Sequence, residues 1–91
     1  MERLYLTTYV KRLKIFNFIC EAIATQQRNS DEILAIIHEA GYFISHSTLE
    51  KMLKALKDEF DAPIVHRRTG LRNFYEFTEP YNFKEFILKL F

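Results

Sequence analysis

The chain has 91 residues, 48% of them hydrophobic, which suits one small domain with a single core. It has no run of about eighteen apolar residues for a membrane span, no secretory leader pattern at Met1 to Leu4, and one cysteine. A reducing, cytoplasmic setting is the expectation. The net charge of +1 falls short of the strongly basic balance common in nucleic-acid modules, so the distribution of charge has to carry any such case.

From about Thr8 to Gln27, Val10, Leu13, Phe16, Cys20 and Ile23 recur at helical spacing. Ile15, Phe18, Ile19 and Ala22 widen the stripe beyond one face, which predicts a helix that is central or that meets a second partner. Gln26 to Ser30 is polar and ends it. Asn29 or Ser30 then caps a second helix with Asp31 and Glu32 in its first turn and Ile33, Ile36, Ile37 and Ala40 inward. Gly41 is its expected left-handed stop.

After Gly41-Tyr42-Phe43-Ile44 comes a third helix with Leu49, Met52, Leu53 and Leu56 on its apolar face. Ser45 is the favoured N-cap, and a Ser47/Glu50 capping box is the alternative. Helix, short glycine-containing turn, helix is the outline of a helix-turn-helix. Pro63 to Arg67 and Arg72 to Phe77 read as two short strands, with Thr69-Gly70 as the turn between them. Asn82 with Glu85 looks like a capping box for a last helix, with Phe83, Phe86, Ile87 and Leu90 along one face.

Charge is segregated along this order. Residues 30 to 46 hold Asp31, Glu32 and Glu39 and no Lys or Arg, whereas 63 to 75 hold Arg67, Arg68 and Arg72 and no acid. Arg3 to Lys14 adds Arg3, Lys11, Arg12 and Lys14, again without an acid. Opposite its core face the third helix carries His46, Ser47, Glu50, Lys51 and Lys54. Ser, Lys and His at the start of such a helix can donate to base edges in a major groove. A merely solvated face is the alternative. Arginines around a hairpin turn suit phosphates or a narrow minor groove. They also suit a turn that discourages edge pairing.

His38, His46 and His66 lie in three different elements without metal-site spacing, and Cys20 sits on an apolar stripe. No phosphate-binding glycine loop or paired catalytic carboxylates are present. The expectation is a binding module with no cofactor and no metal, not an enzyme.

The order Ser45-x-x-Thr48-Leu49, Ala62-Pro63-Ile64-Val65 and Phe74-Tyr75-Glu76-Phe77 resembles the N-terminal winged helix of bacterial WYL-domain transcriptional regulators. Glu79 to Phe83 resembles that family's extended exit segment, so the match spans roughly Ser30 to Phe83. Where family members often carry arginines after the helix cap, this chain has His46 and Ser47. The resemblance implies DNA binding, usually ahead of a ligand-sensing domain.

The expected fold is mainly α with a small β-hairpin, a winged helix-turn-helix over residues 1–80, followed by a C-terminal helix over 81–91. The expected partner is double-stranded DNA, without a membrane. His46, Ser47, Lys51 and Lys54 would touch bases, and Ser45, Thr48, Arg67, Arg68 and Arg72 the DNA backbone. A protein-interaction module is the rival reading. The terminal helix is expected to form a homodimer with helix 1 across a twofold axis, with folding back on helix 1 or the start of a linker as the alternatives.

Overall fold

A computed structural model describes residues 2–91, with side chains from Thr8 onward. The chain forms α1 (Glu2–Thr25), α2 (Ser30–Glu39), α3 (His46–Glu59), β1 (Ile64–Thr69), β2 (Arg72–Phe77) and α4 (Phe83–Lys89). Four helices thus surround one core, and β1 and β2 form an antiparallel hairpin against it.

α1 is the central element and packs on α2, α3, α4 and β2. Its Phe16 and Ile19 meet Ile33 and Ile37 of α2 and Leu49 and Leu56 of α3 in the fully buried centre. Each side chain of that size contributes on the order of 1.5–3 kcal/mol on burial. Ile15 and Ile19 find their partners inside the chain, while Phe18 is half-buried against the Tyr42 ring at 5.9 Å. The breadth of the stripe therefore reflects a central helix.

The start of α1 lies at Glu2, not near Thr8, and the residues described from Thr8 to Lys14 are all exposed. This half of the helix reaches past the core, which is why Val10 and Leu13 stay in solvent although they continue the buried stripe in sequence. The helix ends at Thr25, two residues before Gln27, because the Arg28 guanidinium donates to the Ala22 carbonyl at 2.8 Å and closes the last turn. Arg28 then exchanges two backbone hydrogen bonds with Tyr75, adding a one-residue bridge on the open edge of β2.

Local chemistry sets the helix ends. Asn29 caps α2 in a reciprocal box with Glu32. At the other end Gly41 N–H donates to His38 and Tyr42 N–H to Ile37, a Schellman closure with Gly41 at φ +94°. Ser45 caps α3, accepting from Thr48 N–H. The exit from α3 turns through Asp61 at φ +52°, a left-handed position that aspartate tolerates better than most residues.

Phe83 seats α4. It is buried, 5.8 Å from the Phe16 ring and 5.4 Å from Phe60. Tyr81 fixes the approach by donating to the Phe60 carbonyl at 2.6 Å. The terminal helix thus folds back onto α1 within the same core.

Candidate nucleic-acid interface

Burial of Leu49, Met52, Leu53, Ala55 and Leu56 turns the opposite face of α3 to solvent. At 3.6 residues per turn, Ser47, Lys51 and Lys54 fall within an arc of about 60° on that face. All three are exposed. Glu50 borders the same arc, so the face is polar and mixed, not uniformly basic.

The other candidates on this helix have partners. The His46 ring meets the Asp31 carboxylate at 2.8 Å, tying the first turn of α3 to the first turn of α2. Ser45 Oγ, besides accepting from the Thr48 N–H, donates to Thr48 Oγ1 at 3.1 Å. Ser45 and His46 are thereby engaged in holding the two helices and their cap, leaving Ser47, Lys51 and Lys54 as the outward set.

In the hairpin, Thr69 pairs with Arg72, so Gly70 and Leu71 are the central turn residues, one position beyond the expected Thr69-Gly70. Gly70 has φ +61° and Leu71 does not have a positive φ, the signature of a type II′ turn. β1 correspondingly runs to Thr69, two residues past Arg67. Alternation along β1 puts Arg67 and Arg68 on opposite faces. Ile64, His66 and Arg68 share a face with Phe77, Tyr75 and Asn73, while Val65 and Arg67 share the other with Glu76, Phe74 and Arg72.

That separation decides which charge is available. Arg67 Nε is ion-paired with Glu76, diagonally across the strands. The acid lies one residue beyond the acid-free stretch 63–75. Arg68 shares its face with Tyr75. Burial raises the Tyr75 pKa above its ordinary value, the Glu50 carboxylate adds to the rise, and Arg68 opposes it. Arg72 lies near the tip on the other face and lines a cleft of about 540 Å³ with Leu71 and the start of α2. Among the described residues, Lys51, Lys54, Arg68 and Arg72 have no carboxylate within ion-pair distance.

The remaining basic segment does not join them. Lys11 lies over the Tyr42 ring at 5.9 Å and Arg12 over Phe16 at 5.3 Å; the Arg3 side chain lies outside the described residues. Cys20 is buried and its thiol is pushed up to about 12, first by burial and then by Glu21, which makes it a core residue. Among the described residues no three of His, Cys, Asp and Glu gather as metal ligands, and no helix is long and apolar enough to cross a membrane.

Sequence reasoning misses Arg28, Glu76 and Tyr81. Their roles depend on partners 47, 9 and 21 residues away, which no local pattern reveals. Comparison of the chain with protein-family models, with curated proteins and with solved structures finds no match.

Proposed function

We propose that the chain is a winged helix-turn-helix that binds duplex DNA in transcriptional control. In this reading α3 enters the major groove and the β1–β2 hairpin lies on the backbone or in the adjacent minor groove. The observation that carries it is that Lys51 and Lys54 on α3 and Arg68 and Arg72 on the hairpin are exposed and, among the described residues, have no carboxylate within ion-pair distance. The tight α2–α3 turn and the resemblance to WYL-type regulators support the same reading.

Ser47, Lys51 and Lys54 are the base-reading residues of this proposal, and Arg68 and Arg72 its phosphate contacts. Thr48 is a backbone donor through its hydroxyl, while Ser45 and His46 hold α3 in place. Binding of random-sequence duplex at 50 mM and 200 mM salt tests it. Two phosphate contacts from Arg68 and Arg72 give a slope of about −1.8 in log affinity against log salt, or roughly a twelvefold loss over that range. The rival, a protein-interaction module, has the exposed apolar side chains of α1 and α4 in its favour. Affinity that is absent or flat with salt would replace the DNA reading with that one.

A further inference from the structure

Leu71 stands fully in solvent, the most exposed large hydrophobic side chain among the described residues at 106% of its reference area. We infer that it enters the DNA minor groove as an apolar wedge, parts a base step there and kinks the duplex. The hairpin then selects sequences by how easily they bend. This inference rests on the DNA reading above.

Single exposed leucines are common; the position of this one sets it apart. It is the second central residue of the type II′ turn, where Asn, Asp or Ser is the ordinary choice after glycine. Nothing in the turn asks for leucine. The hairpin is tied down at Tyr75, where Arg28 bonds the edge of β2, and Leu71 lies four residues beyond that tie. At strand spacing this sets the tip about 13 Å out.

Width and charge favour insertion. A minor groove about 6 Å wide excludes a two-stranded ribbon but admits one side chain at its tip. Arg68 and Arg72 lie on opposite faces of the ribbon, both exposed and, among the described residues, without a carboxylate at ion-pair distance. With the tip pointed into the groove, one guanidinium faces each phosphate wall. Leucine is among the side chains that wedge between base steps and bend DNA by about 20–90°.

The wedge and the arginines alone predict opposite preferences. Arginines by themselves favour stiff A-tracts, whose minor groove is narrow and strongly negative. A wedge favours a pyrimidine–purine step such as TA, which unstacks easily. Two duplexes of equal composition separate them, one with a central AATT and one with a central TTAA, in random flanks. Fluorescence anisotropy reads affinity, and energy transfer between dyes on the two ends reads bending. The full chain should bind the TTAA duplex roughly five- to tenfold tighter and bend it by at least about 20°. Leu71→Ser should lose both and keep the salt slope of about −1.8. Its circular dichroism should be unchanged, because the side chain stands in solvent. Leu71→Phe, another wedging side chain, should keep the bend. Straight complexes, no preference for TTAA, or bending that survives Leu71→Ser overturns the inference and leaves the DNA reading standing. Absence of duplex binding by the unaltered chain overturns that reading and the wedge with it.

Discussion

The Arg67–Glu76 pair turns the DNA reading into an ordered series of variants. Among the described residues Arg68 and Arg72 have no acidic partner, whereas Arg67 does. Each phosphate contact contributes about 0.9 to the salt slope. Over a fourfold rise in salt, that unit is worth about 3.5-fold in affinity. Arg68→Ala and Arg72→Ala should each lower the slope by about 0.9, and the double variant by about 1.8. Arg67→Ala should change it by much less, because its guanidinium is already neutralised locally. Glu76→Gln goes the other way: it frees Arg67 and should steepen the slope by up to about 0.9. Fluorescence anisotropy on random-sequence duplex at several salt concentrations reads all five. Equal effects from the three arginine substitutions would show that the pair does not hold Arg67 back. An unchanged slope in the Arg68/Arg72 double variant would remove the hairpin from the interface.

Ser47→Ala and Lys51→Ala should each cost on the order of 1–3 kcal/mol of discrimination against the wrong base, measured by selection from a random duplex library; an unchanged consensus would refute base reading by α3. Phe83→Ala should destabilise the fold by about 3–5 kcal/mol in urea titrations, because this side chain anchors α4 between Phe16 and Phe60. Ser45→Ala should cost about 1 kcal/mol by the same assay, through loss of the cap on Thr48 N–H. Stability should also fall in alkali. Burial raises the Cys20 thiol and the Tyr81 phenol each to about 12, with Glu21 adding to the first and Cys20 and Asp61 to the second. Above pH 9 the unfolded chain loses these protons first, so it binds fewer than the folded chain and stability declines towards pH 12. The thiol's share approaches about 1.4 kcal/mol per pH unit, and Cys20→Ala should remove it.

What could be read in the sequence was what local chemistry decides. Ser45 as cap, Gly41 as stop and the apolar spacing of α3 each follow from a few neighbouring residues. The capping role of Asn29 was legible as one of two choices. The start of α1 was not, because Val10 and Leu13 fit a buried stripe whose burial depends on how far the core extends. The arginine cluster looked uniform because alternation along β1 sends Arg67 and Arg68 to opposite faces, and only the register shows which cross-strand partner each one meets. One residue's difference in the turn brought Glu76 diagonally opposite Arg67.

The bridge between Arg28 and Tyr75 closes a loop of 47 residues, half the chain. Closing a flexible segment of that length costs about 3 kcal/mol of chain entropy. A hairpin forms on its own within microseconds but is marginal without support. The three helices meet through contacts closer in sequence. The expected order is the helical core first, with the hairpin acquiring a fixed position when β2 meets Arg28. That same residue closes the last turn of α1 with its side chain. A substitution such as Arg28→Pro, which removes the backbone N–H and the guanidinium together, would slow the last folding step while leaving the helices able to collapse.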